Sequence, residues 1–305
     1  MPALSVENIN KTYDSFRAVK DVSFSIEEGR IFGLLGPNGA GKTTTMRMIM
    51  NIIIPDSGII NIFGQPFREE HKNLIGYLPE ERGLYPKMKL IDHLQFFGEM
   101  KGLTASQAKN VSTQWLQKFD LTEWLNKKVQ DLSKGMQQKV QFIGTILHSP
   151  DLLILDEPFS GLDPINTKFI KDIIIQLKNE GKTIILSTHL MDQAEKLIDD
   201  ICLINQGSVV LSGNLQENKK KYSHNSVILE YSGDGSFIDA LPIVESTNDY
   251  GNYMEIHLNK ESTSGELFKL IANSDLEIRK FEASETTLNQ IFIDIAGKGN
   301  SAKNN

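Results

Sequence analysis

The most constraining feature of this chain is a glycine-rich segment near its amino terminus. Residues 36–43 read GPNGAGKT, which fits the pattern G-x-x-x-x-G-K-[ST]. The apolar run 31–35 before it predicts a strand, and residues 43–54 after it predict a helix that is stopped by Pro55. A strand, a glycine-rich turn and a helix in this order form a phosphate loop, in which backbone N–H groups and the helix N-terminus face an anion.

The residue types in the phosphate loop fit this chemistry. Glycines let the backbone curl, the Lys42 ammonium would offset charge on the β- and γ-phosphates, and the Thr43 hydroxyl would ligate Mg²⁺. The alternative is a plain glycine-rich turn, but a chance match in a chain of this length has odds of roughly one in a hundred. The residues predicted to contact nucleotide here are Gly36, Pro37, Asn38, Gly39, Ala40, Gly41, Lys42, Thr43 and Thr44.

A second strand ends in two acidic residues. Residues 152–155 read LLIL, as expected of a strand buried on both faces, and Asp156 and Glu157 follow. The carboxyl edge of an open α/β sheet is where nucleotides bind. We therefore predict that Asp156 binds Mg²⁺ and that Glu157 orients or deprotonates the water that attacks the γ-phosphate. Strands often end in solvated acids, so this pair gains its weight from the phosphate loop.

The order of apolar and amphipathic segments predicts an α/β fold with a mostly parallel sheet. Further segments favour a strand over 183–187 and a helix over 164–179. Three helical stretches, 89–100, 105–119 and 134–148, interrupt the alternation and predict a helical insert at about 84–150.

The patterning weakens after residue 218, which predicts a second domain. Strand-like runs at 227–231 and 253–258 and helical spacing further on indicate a small α+β unit over 219–296. Residues 1–218 would form the first domain, and residues 297–305 a flexible tail.

Composition and charge argue against several classes of function. Lys and Arg number 32 against 39 Asp and Glu, a net charge of −7, so the chain as a whole has no basic field for nucleic acid. Its single cysteine, Cys202, lies in a strand-like run and fits a reducing compartment. The amino terminus lacks the order of a signal peptide, and no apolar run approaches the roughly 18 residues of a membrane span. Any membrane role is therefore expected to come through a partner.

Residues 132–136 read LSKGM and resemble the LSGGQ signature of ATP-binding cassette (ABC) proteins. This signature segment precedes Asp156 at the distance usual in that family. It would form another anion site at a helix start, in which the Ser133 hydroxyl and the Gly135 backbone face a γ-phosphate. Lys134 and Met136 depart from the pattern, and by itself Ser133 could simply be a helix N-cap.

The resemblance implies roles at four more positions. Tyr13 resembles the aromatic residue that stacks on adenine, Asp163 belongs to a D-loop over 160–163, and His189 resembles the switch histidine near the γ-phosphate. Glu80 occupies the Q-loop position, where most cassettes have glutamine. It keeps an oxygen ligand for Mg²⁺ but adds negative charge, and an exposed loop acid without this role is an equal alternative.

The resemblance also implies an activity and partners. The chain is expected to be the ATP-hydrolysing subunit of an ABC transporter, with ATP and Mg²⁺ as cofactors, and to lie in the cytoplasm on the inner face of the cell membrane. In cassettes, the phosphate loop and the signature segment are too far apart to share one ATP. A second cassette, identical or paralogous, must therefore complete each site, and a separate multi-span permease would carry the cargo.

Residues 77–83 (YLPEERG) and the carboxy-terminal extension together resemble bacterial exporters of the sodium-extrusion and multidrug type. An alternative is a soluble cassette that acts on ribosomes or DNA, which the absence of a second cassette, of long coiled-coil insertions and of basic charge opposes. A non-hydrolysing regulatory module is a third reading, which Lys42, Asp156, Glu157 and His189 oppose. The cargo is not encoded in this chain.

Overall fold

The computed structural model describes residues 2–81, 83–222, 226–259, 261–274, 276–284 and 286–301. The chain divides into two units, Met1–Leu215 and Gln216–Asn305, and each has an apolar core of its own. Arg82 of the 77–83 segment and residues 302–305 of the predicted tail lie outside the described residues.

The first unit alternates strands and helices along the chain. Its strands are β1 (Pro2–Tyr13), β2 (Phe16–Glu27), β3 (Ile31–Leu35), β4 (Ser57–Ile62), β5 (Gln65–Pro66), β6 (Ile75–Leu78), β7 (Leu152–Asp156), β8 (Thr183–Thr188), β9 (Asp200–Asn205) and β10 (Ser208–Asn214). The helices up to residue 221 are α1 (Lys42–Ile49), α2 (Leu90–Met100), α3 (Ala105–Lys118), α4 (Lys134–Ile146), α5 (Pro164–Asn179), α6 (Met191–Ala194) and α7 (Leu215–Lys221).

The main sheet has the strand order β10-β9-β3-β8-β7-β6. All neighbouring strands in it are parallel except β10 and β9. Every residue of β3, β7 and β8 is buried, as expected of strands that are covered on both faces. On one face, these strands share a core with α1 and with the strands β1, β2 and β4. The predicted α/β fold with a mostly parallel sheet is confirmed.

A smaller antiparallel sheet, with the order β2-β1-β4-β5, was not predicted from the sequence. Its two long strands, β1 and β2, pair as a hairpin whose register shifts at several points. Asn8, at one of these shifts, has a positive φ of 48°. Because each irregularity resets the alternation of inward and outward side chains, a strict two-residue period does not appear in the sequence.

The predicted helical insert is confirmed. Helices α2, α3 and α4 begin and end within two residues of the predicted bounds. Helix α1 is shorter than predicted and ends at Ile49, well before Pro55. Asn51 takes a left-handed conformation with φ 52°, which terminates the helix before proline has any effect.

The second unit is an α+β fold, as predicted. Its elements are β11 (Ser226–Ser232), β12 (Val244–Asp249), β13 (Met254–Leu258), α8 (Ser264–Ala272), β14 (Glu277–Ser284) and α9 (Leu288–Ser301). The sheet is antiparallel with the order β12-β13-β11-β14. This order is that of a split βαββαβ fold in which a short 3₁₀ turn, Ser236–Ala240, replaces the first helix.

Helix α9 differs from the sequence prediction at its end. It continues to Ser301, five residues into the segment predicted as a flexible tail, since the glycines at 297 and 299 lower helix propensity without preventing a helix.

In the part of the chain that the structure describes, no helix combines the length and the apolar character that a membrane span requires.

The core of the second unit gives a stability prediction. Leu229 on β11 is fully buried, whereas Leu270 on α8 is 44% exposed. Leu229→Ala should lower the unfolding free energy of the β11–β14 sheet by about 2–5 kcal/mol, because it leaves a cavity. Hydrogen exchange of the strand amides in the full chain measures this, with Leu270→Ala as the matched control. Equal effects of the two substitutions would contradict the assigned core.

Candidate nucleotide site

Four neighbouring parallel strands deliver the predicted site residues to one edge of the main sheet. The phosphate loop follows β3, His189 follows β8, Asp156 and Glu157 end or follow β7, and Glu80 follows β6. Since parallel strands place their carboxyl ends at the same edge, segments far apart in sequence converge there. The common direction of the strands is enough to bring these segments to one edge of the sheet, without contacts between the segments.

The phosphate loop contains glycines at positions that other residues cannot occupy without strain. Gly36 has φ 149° and Gly41 has φ 108°. A Cβ atom on Gly36 would lie 2.1 Å from the Ile204 carbonyl oxygen, and one on Gly41 would lie 2.6 Å from the Ala18 carbonyl oxygen. The loop therefore depends on close backbone approach as well as on backbone freedom.

Lys42 is the buried cation of the site. Its side chain lies on the first turn of α1, the residue is only 6% exposed, and Nζ donates to the carbonyl oxygens of Gly36 (2.8 Å) and Pro37 (3.1 Å). Burial lowers the pKa of Lys42, and the negative charges of Glu157, Asp156 and Glu80 act in the opposite direction. Both acceptors that contact Nζ are neutral carbonyl oxygens, which phosphate oxygens could replace.

Asp156 joins the end of β7 to the phosphate loop. The Thr43 hydroxyl donates to Asp156 Oδ2 (3.0 Å), and the Ser187 hydroxyl donates to Oδ1 (3.0 Å). Burial raises the pKa of Asp156, the two hydroxyl hydrogen bonds lower it, and the charges of Glu80 and Glu157 raise it further. A hydroxyl and a carboxylate in contact are hard oxygen donors, so this pair fits Mg²⁺ in chemistry.

Glu157 is buried, and both of its carboxylate oxygens accept hydrogen bonds. Oε2 accepts a hydrogen bond from the Thr188 hydroxyl (2.8 Å), and Oε1 accepts one from the His189 backbone N–H (3.0 Å). His189 Nδ1 lies 2.7 Å from the same Oε1. Glu157 itself has a positive φ of 48°, an unfavourable conformation for a residue with a side chain. The carboxylate is thus positioned by the last residue of β8 and by the residue that follows it.

A cavity of about 360 Å³ opens at this edge of the sheet. Two of its lining residues, Phe16 and Ala18, were missed in the sequence. Phe16 pairs across the β1–β2 hairpin with Tyr13, so the two aromatic side chains flank one turn. The sequence feature that could have indicated Phe16 is a tyrosine and a phenylalanine separated by two polar residues, in the stretch 13–16. The lining comprises Tyr13, Phe16, Ala18, Asn38, Gly39, Ala40, Gly41, Lys42, Thr43, Thr44, Glu80, Asp156 and Glu157.

The signature segment and the D-loop are not among the residues that line this cavity. Ser133 is the N-cap of α4, where its hydroxyl accepts from the Met136 backbone N–H (3.3 Å). A Cβ atom on Gly135 would meet no atom within 4 Å, so the space beside it is open. Asp163 caps α5 by accepting from the N–H groups of Ile165 and Asn166. Both segments expose helix starts away from the cavity.

A side chain of the helical insert holds the loop that carries Glu80. Gln141 on α4 donates from Nε2 to the carbonyl oxygens of Pro79 (3.0 Å) and Glu81 (3.2 Å). Movement of α4 would therefore be transmitted to the backbone on both sides of Glu80. No sequence pattern marked Gln141, because it belongs to no motif and its partners are backbone atoms.

The fold and this site together define a phosphate-loop NTPase. A family profile described as "ABC transporter" matches residues 19–160, and one described as "ATP-binding protein DrrA1-3-like, C-terminal domain" matches residues 213–296. The uncharacterized ABC transporter ATP-binding protein YhaQ of Bacillus subtilis (strain 168) is 41% identical over 294 residues, which cover 96% of this chain and 98% of that protein.

A second sequence relative and a solved structure are also similar to this chain. The linearmycin resistance ATP-binding protein LnrL of Bacillus subtilis (strain 168) is 33% identical over 97% of this chain and 98% of its own length. A solved structure of an ATP-binding subunit of an ABC transporter superposes with a TM-score of 0.67 at 31% identity, over 72% of this chain and 93% of that one. The chain belongs to the ATP-binding subunits of ABC transporters and is an ATPase with a DrrA-like carboxy-terminal domain.

The phosphate loop offers a matched pair of substitutions. Gly41→Ala should weaken ATP binding at least about 100-fold (about 2.8 kcal/mol), because the new Cβ collides with backbone and the loop must move. Gly39 also has a positive φ, but a Cβ there meets nothing within 4 Å. Gly39→Ala should therefore show only the cost of about 1–2 kcal/mol for the left-handed backbone. Titration with a fluorescent ATP analogue measures both, and equal losses would contradict the close-approach argument.

Proposed function

We propose that this chain hydrolyses ATP in the cavity at the carboxyl edge of the main sheet. The observation that supports this most is the fixed Glu157 carboxylate, buried beside Asp156 and hydrogen-bonded to His189. Glu157 would accept a proton from the water whose oxygen attacks the γ-phosphorus, while the bond to the bridging oxygen of ADP breaks. His189 holds the carboxylate in place, and Lys42 would exchange its carbonyl partners for phosphate oxygens.

The Thr43 hydroxyl and the Asp156 carboxylate would hold Mg²⁺, with Glu80 as a further oxygen ligand. When bound with ATP, this ion would neutralise negative charge on the β- and γ-phosphates. Three carboxylates surround one lysine in the site, so nucleotide binding should depend strongly on a divalent cation.

Each nucleotide would be sandwiched between two copies of the cassette, or between this chain and a paralogue. The signature segment presents an open helix start that does not line its own chain's cavity, so Ser133 and Gly135 are free to face nucleotide held by a partner. Tyr13 would stack on the adenine and Asp163 would lie at the contact between cassettes. ATP thus favours the closed dimer, and hydrolysis lets it open.

The dimer would drive a separate membrane-spanning permease from the inner face of the cell membrane. The Gln141 hydrogen bonds tie α4 to the loop around Glu80, which gives a direct route between nucleotide and helical insert. The relative named for linearmycin resistance supports export as the direction, because removal of a toxic compound from the cell is one way to resist it. The second unit would serve as an accessory domain of the exporter.

Glu157→Gln tests the assignment of the general base. The amide keeps the size of the side chain but cannot accept the proton, so turnover should fall at least about 100-fold while ATP still binds. Phosphate release measures turnover, and nucleotide titration measures binding.

The control is Thr113→Ser, a substitution at an exposed residue of α3. It accounts for effects of mutagenesis and purification and should leave turnover at the wild-type rate. Turnover of the Glu157→Gln variant near the wild-type rate would show that another group accepts the proton.

Glu80→Gln tests the unusual acid in the Q-loop position. If Glu80 mainly supplies an oxygen ligand, the amide should keep ATP hydrolysis within roughly threefold of wild type, far from the loss expected for a general base. The Mg²⁺ concentration needed for half-maximal rate should rise, because one carboxylate is lost from the site. A collapse of the rate at saturating Mg²⁺ would mean that the charge itself is required.

A further inference from the structure

The turn between β9 and β10 contacts two segments that line the nucleotide cavity. Asn205 and Ser208 are direct partners, so Gln206 and Gly207 form a two-residue turn, and both have positive φ, of 49° and 83°. Such a turn matches the twist of the antiparallel strands that it joins. Gln206 is exposed, as is usual in a turn, but Gly207 is buried. The second residue of this turn therefore packs against other parts of the first unit.

The backbone of Gly207 forms a hydrogen-bonded bridge between the two segments. Its N–H donates to the carbonyl oxygen of Ala40 in the phosphate loop (2.9 Å), and its carbonyl oxygen accepts from the Lys20 N–H on β2 (2.7 Å). Among the residues that the structure describes, no backbone hydrogen bond joins residues 36–44 directly to β2. Gly207 thus connects the side of the cavity that faces phosphate to the β1–β2 hairpin.

The backbones of the three segments approach one another closely at this point. A Cβ atom on Gly207 would lie 2.8 Å from the Ala18 carbonyl oxygen, which is closer than such atoms approach in folded proteins. The same oxygen limits Gly41 of the phosphate loop, at 2.6 Å. A side chain at position 207 would therefore force the turn and β2 apart.

Of these segments, β2 is the one that can be displaced most easily. It is an edge strand of the small sheet and pairs only with β1 among the described strands. The phosphate loop is fixed by β3 before it, by α1 after it, and by the hydrogen bonds from Lys42 to its carbonyl oxygens. Displacement of β2 would move Phe16 and Ala18, which line the cavity, and also Tyr13, which pairs with Phe16.

We propose that Gly207 is a positioning residue for the nucleotide. Its backbone sets the distance between the phosphate loop and the β1–β2 hairpin, so that the phosphates and the base of one ATP are contacted together. The inference rests on the proposed function, in which Tyr13 stacks on adenine. It adds a residue that acts through others, because Gly207 is not among the residues that line the cavity.

Gly207→Ala in the full-length chain tests this role. Titration calorimetry with Mg²⁺ should show a loss of ATP affinity of at least about fivefold, because the contact between base and aromatic ring is broken. Tripolyphosphate has no base, so its affinity should stay within about threefold of the wild-type value. A general loss of structure would lower both affinities together.

The β4–β5 hairpin provides a matched control. Its two-residue turn, Phe63 and Gly64, has φ values of 49° and 76°, close to those of Gln206 and Gly207. A Cβ atom on Gly64 would meet no atom within 4 Å. Gly64→Ala therefore introduces a similar left-handed strain but no collision, and it should leave both affinities at the wild-type values.

A double-mutant cycle with Tyr13→Ala links the effect to the base. Tyr13→Ala alone should weaken ATP binding at least about fivefold. In the Gly207→Ala chain, the same substitution should weaken ATP binding less than about twofold, because the stacking contact is already lost.

Lys20→Pro tests the bridge without adding a Cβ atom to the turn, and it serves also if Gly207→Ala does not fold. Proline removes the N–H that donates to Gly207, and edge strands accept proline where the N–H makes no bond to a neighbouring strand. This variant should show the same selective loss of ATP affinity over tripolyphosphate affinity.

Three results would overturn the proposal. The first is an unchanged ATP affinity in the Gly207→Ala chain. The second is an equal loss of ATP and tripolyphosphate affinity, which would assign the defect to the phosphate loop or to the fold. The third is additive losses in the cycle with Tyr13→Ala. A wild-type chain that binds no ATP would instead contradict the proposed function, so the two failures are distinguishable.

Discussion

Parallel pairing of β3, β8, β7 and β6 is the constraint on which the site depends. Helical crossovers require these strands to run in one direction, and their carboxyl ends therefore deposit four loops at one edge of the sheet. The hydrogen bonds from Thr43 and Ser187 to Asp156 then connect three of the strands at that edge. The chemistry is a consequence of topology, because no single segment contains more than a part of it.

Charge balance explains why such a site suits an anion and a cation together. Lys42 is buried among three carboxylates, and burial acts against the charged form of both Lys42 and Asp156. Glu80, in place of the usual glutamine, adds to the negative side. A phosphate chain brings negative charge to Lys42, and a divalent cation brings positive charge to the carboxylates. Phosphate alone would add to the negative charge of the carboxylates, and the cation alone would add to the positive charge of Lys42.

The sequence predicted the parts that local chemistry determines. The strand, turn and helix of the phosphate loop could be predicted from the sequence, because they lie within one short stretch. The same holds for the acidic end of β7. The β1–β2 hairpin was missed, since register shifts near Asn8 break its alternation. Thr188 and Gln141 were also missed: each acts through partners far away in the chain, and such pairing leaves no local pattern.

The central claim is that two chains share each nucleotide, and cysteine cross-linking tests it most directly. Cys202 is buried, so single cysteines introduced as Asn38→Cys in one preparation and Lys134→Cys in another would be the only accessible thiols in the described residues. With both chains also carrying Glu157→Gln, oxidation after mixing should link Asn38→Cys chains to Lys134→Cys chains when Mg-ATP is present, and not without it. Links between like chains only, or none with saturating Mg-ATP, would contradict a head-to-tail pair that encloses the nucleotide.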